Sequence, residues 1–364
     1  MSATNSRLAF IDALKAIASQ LIVLHHLAFY GPMSDYAHPL APELFSWLSQ
    51  YARIAVQAFL VIGGFLAVQS IAPAGRFVQK PVPAMLWKRY LKLVPPYVCA
   101  LLLAIAAAPI AESLTTHESI PAPPTAAQFI AHVFLLQSIL GFDGLSAGVW
   151  YIAIDFQLYA LLLLTLWLAN RAMPQHFATA GRALLIALVF ASLFYFNRDD
   201  RWDNWAVYFF GAYGLGALVS WGTSQNRAPL WLGLVFIVTL AALALDFRSR
   251  IALALMVAVM LSIGRYTGFI ENWPKSRFIG WLGQISYAVF LVHFPICMII
   301  NGLFDKYAPH TPDIQLIGVI VGWLVSTAGG ALFYYQVECR AQKLFAKKRT
   351  QGNCMNANVV DGSK

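Results

Sequence analysis

With 364 residues, 59% of them apolar, 14% aromatic and only 11% charged, the chain lies far from soluble domains, where about a quarter of residues are charged. Apolar runs long enough to cross about 30 Å of hydrocarbon recur along its length, and short alternating segments are missing, which excludes both a soluble protein and a membrane β-barrel. The formal net charge of +9 sits beside these runs and not in an independent soluble domain, so membrane topology accounts for it better than nucleic acid does.

Polar breaks divide the chain into ten expected spans: 8–30, 51–71, 86–109, 149–168, 183–196, 205–221, 230–245, 251–263, 278–303 and 314–337. The first is too long for a leader, carries Asp12 and Lys15, lacks a small-residue cleavage site and is read as retained. The run 126–140 is apolar but short, and reads as a re-entrant or interfacial helix. The expected fold is therefore all-α, a polytopic bundle of about ten spans in one membrane domain over 1–350. A polar, disordered tail is expected over 351–364.

Lys and Arg favour cytoplasmic loops. Arg76, Lys80, Lys88, Arg89 and Lys92, then Arg171 and Arg182, then Arg265, Lys275 and Arg277, and finally Arg340 to Arg349 all fall on one side when both termini are cytoplasmic. The opposite connections 31–50 and 111–148 contain no Lys or Arg. Arg248 and Arg250 clearly disagree. The cysteines Cys99, Cys297, Cys339 and Cys354 form no CxxC pair, so neither a disulfide framework nor a metal site is expected.

The stretch DALKAIASQLIVLHH, Asp12 to His26, puts ionisable groups inside a span, where each needs a partner or a wet cavity. Lys15 and His26 are eleven residues apart, about 1100° at roughly 100° per residue and about 16 Å along the axis, so they share a face. Asp12, Ser19 and His26 follow a seven-residue spacing on the same stripe, whereas His25 points about 100° away. Asp12 is the i,i+3 partner of Lys15. The plain alternative is a lysine snorkelling to the interface and a packed, satisfied histidine. An imidazole with a pKa near 6.5 can take a hydroxyl proton at neutral pH and return it.

In these residues the chain resembles the integral-membrane acyltransferase-3 family, whose opening pattern is an Asp, a basic residue three further on, then ten residues and a His. Asp12, Lys15 and His26 match it, with Lys where the family usually has Arg. VQAFLVIGGFLAVQS resembles the second-span motif ending in Ser-Gly-Phe, with Gly63 for the serine; Gly63 and Gly64 suit either cofactor access or close helix packing. KRYLKLVPPY resembles a basic motif before a proline, with Arg89 and Lys92 at its basic positions beside Lys88. Such a cluster suits coenzyme A phosphates or, alternatively, anionic lipid.

WYIAIDFQLY resembles a Trp-x-Leu-x-x-Glu-x-x-x-Tyr motif, placing Asp155 at the acidic position, where it could orient an imidazole or a sugar hydroxyl, or be buried with Tyr159 or Lys15. LGQISYAVFLVHFP matches Gly-x-x-Ser-Tyr followed by His-x-Pro, so Ser286, Tyr287 and His293 are expected to line one cavity. A closing Glu-x-Pro pattern is approached at Glu338, with Arg340 for the proline.

The resemblance implies an O-acyltransferase of the inner membrane that takes an acyl group, acetyl by preference, from cytoplasmic acyl-CoA and passes it to a sugar hydroxyl on a cell-envelope glycan or lipid-linked saccharide. It implies no metal and no nucleic acid. His26, Lys15, Asp12 and Asp155 become the expected catalytic set, and Arg89, Lys92, Lys88, Gly63, Gly64, Ser286 and Tyr287 the expected donor contacts. The rival reading is a secondary transporter or flippase with a charged midplane site.

Overall fold

A computed structural model describes residues 8–117, 119–224 and 229–344; the tail expected over 351–364 lies outside them. The described residues are helical with no strand. In chain order the helices are α1 (Ala9–Phe29), α2 (Met33–Ala37), α3 (Pro42–Gln50), α4 (Val56–Ile71), α5 (Val82–Leu114), α6 (Ala126–Val133), α7 (Val149–Ala172), α8 (Phe177–Phe194), α9 (Ala206–Gly222), α10 (Leu230–Leu245), α11 (Ser249–Tyr266), α12 (Phe269–Asn272), α13 (Arg277–Tyr307) and α14 (Pro312–Phe333), the last running on through a π-helical turn at Tyr334–Glu338.

Each of the ten expected spans coincides with one helix. Among the described residues, eight helical segments are long and apolar enough to cross a membrane, and α9 and α10 are shorter apolar helices. Local chemistry sets several starts: Pro312 opens α14, where a missing N–H costs nothing, and the Ser276 side chain caps α13 by accepting from the Ile279 N–H. Several helices overrun their expected bounds, α7 to 172 and α11 over 249–266 among them. Helix α5 extends from 82 to 114, α8 begins at 177 and α13 ends at 307, because short polar insertions in an apolar run do not stop a helix that neighbours cover.

The helices alternate between two ends. At one, Phe10 packs on Phe269 at 4.7 Å, the Tyr266 hydroxyl donates to Gly222 O, Trp221 Nε1 donates to Ala72 O, Phe77 meets Phe177, and Trp281 Nε1 donates to Tyr335. The start of α1 and the ends of α4, α9, α11 and α14 therefore lie together. At the other, Met33 N donates to Asn301, Thr115 donates to Asp305 and Lys306 to Ser113 O. The basic loops grouped by sequence share the first end, and the Lys- and Arg-free connections 31–50 and 111–148 leave from the second.

The segment expected to re-enter does so, but only its first half is helical: α6 stops at Val133, and turns follow to 141. Thr125 and Gln128 form a reciprocal capping box at its start. Gly148 and Val149, at the start of α7, line a cavity with Tyr97, Ala100 and Leu101 of α5. Leu101 is thirteen residues short of the end of α5, about 20 Å at 1.5 Å per residue. The connection thus folds back into the bundle before α7 begins. Buried His132 pins it, with Nδ1 on Gln128 O at 2.8 Å and Nε2 accepting the Leu145 N–H at 3.2 Å.

Candidate active site

Two polar clusters lie along α1. The first is a histidine pair: His26 Nδ1 and His293 Nε2 are 2.6 Å apart, with ring planes 7° from parallel and both residues buried. The proton arrangement follows from a third atom. His293 Nδ1 is 3.1 Å from Val289 O, and a carbonyl only accepts, so that nitrogen carries the proton of the neutral ring. His293 Nε2 is then a lone pair that accepts from His26 Nδ1–H. The remaining nitrogen, His26 Nε2, is left as the basic one, and no hydrogen bond to it is made among the described residues.

The second cluster lies eleven residues earlier on α1. Lys15 Nζ bonds Asp12 at 2.8 Å, as the i,i+3 spacing predicts. Arg89 of α5 bonds Asp155 of α7 and stacks over the Tyr159 ring at 5.2 Å. Lys92 stands in the combined field of Arg89, Asp155, Glu338 and Lys15. Two cations and two carboxylates are paired here, and their formal charges cancel.

Several expectations change in this setting. Asp155 does not orient an imidazole; its partner is Arg89, and the partner of His26 is His293. Arg89 is held by Asp155 rather than presented to a phosphate, whereas Lys92 and Lys88, with Arg76 and Lys80, are exposed. The seam on α1 is interrupted, because the Ser19 hydroxyl donates to Ala16 O within the helix. His25 is tied to Leu48 O at 2.9 Å, away from the pair.

The glycines separate. A Cβ on Gly64 would lie 1.8 Å from Tyr213 O, and one on Gly216 1.9 Å from Val61 O, so Gly64 belongs to the crossing of α4 and α9. A Cβ on Gly63 would reach Tyr213 and come within 3.6 Å of Asp155, which leaves Gly63 beside the charged cluster. The hydroxyls of Ser286 and Tyr287 are both bonded to backbone carbonyls. Ser286 donates to Gly283 O, and Tyr287 donates to Leu93 O beside Pro95 and Pro96, which lie inside α5. Helix α13 joins the clusters through two contacts with α1, Gly283 on the Asp12 backbone and His293 on His26, while Tyr287 faces α5.

Glu338 joins the cluster from the far end of the chain, and Tyr213 joins it from α9, where its side chain is buried and its hydroxyl has no hydrogen-bond partner. Sequence offered a signal for the first in the incomplete Glu-x-Pro pattern, and none for the second. The sequence model of a family described as an acyltransferase domain matches residues 8–335. No curated protein and no solved structure matches the chain.

Proposed function

The chain belongs to the acyltransferase-3 family, and on that premise we propose that this multi-pass membrane acyltransferase moves an acyl group, acetyl by preference, from cytoplasmic acyl-CoA to a sugar hydroxyl of the cell envelope at the inner membrane. The observation that carries the reading is the histidine pair, in which His293 fixes His26 as the tautomer whose Nε2 is free to act as base. The same logic lets a carboxylate orient the histidine of a hydrolase triad; here a second imidazole, anchored on a carbonyl, does the orienting.

Exposed Lys88, Lys92, Arg76 and Lys80 provide the point charges that phosphate needs. Arg89 and Asp155, bonded to each other, hold α5 against α7 at the inner edge of that surface. Lys15 and Asp12 sit between the phosphate-binding end and the histidines, on the path of the donor's pantetheine arm. As the acceptor oxygen bonds to the thioester carbon, its proton passes to His26 Nε2. Collapse of the intermediate re-forms the carbonyl and breaks the C–S bond, and the departing thiolate takes that proton back.

Family membership decides between transferase and transporter in favour of the first. The test is His26→Ala in native membranes given acetyl-labelled acetyl-CoA and the cell's own envelope glycans. Loss of labelled glycan, with the variant still present in the membrane, is the expected result. Undiminished labelling removes His26 from the chemistry.

A further inference from the structure

The re-entrant connection delivers the start of α7 into the bundle without a side-chain cap. Its N-cap is Gly148, at φ 79°, and no side chain accepts from the first turn. Of the first three amides only Tyr151 N–H has a backbone partner among the described residues, Gly148 O at 3.0 Å, which leaves those of Val149 and Trp150. The leading N–H groups of a helix have no acceptor within it and carry the positive end of its dipole, so this terminus favours negative charge or a carbonyl oxygen. A terminus alone would carry nothing. Here it faces two hydroxyls in the same state.

Tyr97 of α5 is 1% exposed and Ser146, two residues before the cap, is 8% exposed. Among the described residues, neither Tyr97 Oη nor Ser146 Oγ finds a hydrogen-bond partner. Both line the cavity that Gly148 and Val149 close. Its volume is about 10 Å³, room for one oxygen-sized group. Burying two hydroxyls without partners is unfavourable, because each loses its bonds to water and gains none in return. A fold that keeps them there is holding donors for something.

The cavity adjoins the histidine pair by two routes. Phe290 lines it and lies 6.1 Å, centroid to centroid, from the His293 ring, one turn along α13. Ala147 lines it and packs in one cluster with Tyr30, whose ring is 5.4 Å from that of His26. The remaining walls, including Leu101 and Ile152, are apolar, which strengthens any hydrogen bond made inside.

We propose that Tyr97 Oη, Ser146 Oγ and the leading amides of α7 form the site that receives the thioester carbonyl oxygen of the donor and stabilises the negative charge that develops on it. This deepens the acyl-transfer reading and rests on it. When the acceptor oxygen bonds to the carbonyl carbon, the π pair of the C=O moves onto that oxygen. The donors are aimed at the charge before it forms, and it is released when the C–S bond breaks.

The test compares Tyr97→Phe, Ser146→Ala and the double variant with wild type in the full-length purified protein. It measures kcat and KM for acetyl-CoA together with the thermal midpoint in the same detergent. Each single variant is expected to lower kcat about 100- to 1000-fold, the range for loss of one such donor, with KM changed less than threefold and the midpoint unchanged or raised. A hydroxyl that bonds nothing in the protein gives no stability when present, so a structural role predicts no such split. Unchanged kcat in both variants overturns the site and leaves the transferase reading standing. A kcat loss that tracks a fallen midpoint also overturns it, assigning the hydroxyls to a structural water. Wild type that transfers nothing from acetyl-CoA sinks both.

Discussion

At the scale of single residues, a histidine paired with a histidine has its chemistry decided by what the second ring touches. Val289 O sets the proton on His293, and His293 sets it on His26. His293→Ala should therefore lower kcat about 100-fold or more while leaving KM for the donor within threefold, since an unoriented imidazole spends its time in the wrong tautomer. His293→Gln keeps a side-chain oxygen that can accept from His26 Nδ1–H and should recover part of the loss, which steady-state kinetics of the two variants will separate. The charged cluster makes a different prediction. Arg89→Ala or Asp155→Ala strands one buried charge and should each cost about 3–5 kcal/mol, with the double variant costing less than the sum, as thermal unfolding of the four proteins will show. Lys92→Ala should leave the midpoint in place and raise KM for acyl-CoA. Periodicity placed Asp12, Lys15 and His26 on one face of α1 correctly, and it found the Asp12–Lys15 bond because three residues fix that distance. It could not find the partner of His26, 267 residues away, because a helical face says where a side chain points and not which helix comes to meet it.

At the scale of helices, backbone contact is what the glycines supply. Gly64 and Gly216 let α4 and α9 cross with no room for a Cβ, so Gly64→Ala should cost about 1–3 kcal/mol through overpacking, whereas Gly233→Ala on α10, with nothing within 4 Å, should cost nothing. Denaturation of the purified variants decides it. The pair Gly63–Gly64 was visible in sequence, yet adjacent residues face about 100° apart, and only the arrangement of α9 and α7 assigns one to packing and the other to the side of Asp155. The re-entrant connection was legible for the same reason that its extent was not. An apolar run too short to span must stop inside, but where its helix frays depends on His132 and Leu145, which bond across thirteen residues. Burial pushes the His132 pKa below its ordinary value of 6.5, and the bond from Leu145 needs the neutral ring. A depressed pKa in the folded state means that the contribution is fully present above about 6.5 and is lost as pH falls through the folded value. The protection factor of the Leu145 amide, its exchange rate divided into the intrinsic rate at the same pH, should therefore fall in acid, and His132→Ala should show the low protection at every pH.

At the scale of the whole molecule, the sequence sorted loops by charge, and the helix contacts sort the same loops by position without reference to charge. Agreement between two independent orderings is the reason to trust the ten-helix alternation. The two arginines that broke the pattern, Arg248 and Arg250, also find their explanation in space. The connections 197–203 and 246–250 meet, with Arg198 on Asp246, Arg248 on Asn197 and Asp246, and Arg250 on Asp200. Four arginines and four aspartates are present in these two segments, so the patch carries no net charge, and its four arginines are outnumbered by the Lys and Arg of the opposite loops, whose count sets the orientation. Counting residues along the chain could not reveal this, because the acids that neutralise one loop lie partly in another. The orientation itself then follows from the end richer in Lys and Arg, which should face the cytoplasm. Lys80 and Asp143 are exposed and belong to opposite ends. With Cys99, Cys297, Cys339 and Cys354 replaced by alanine, Asp143→Cys should react with a membrane-impermeant maleimide in cells whose outer barrier is opened, and Lys80→Cys only after the inner membrane is permeabilised. Reaction in the reverse order would place acyl-CoA on the wrong side of the basic surface. It would leave the histidine pair intact but without a donor able to reach it by the route proposed.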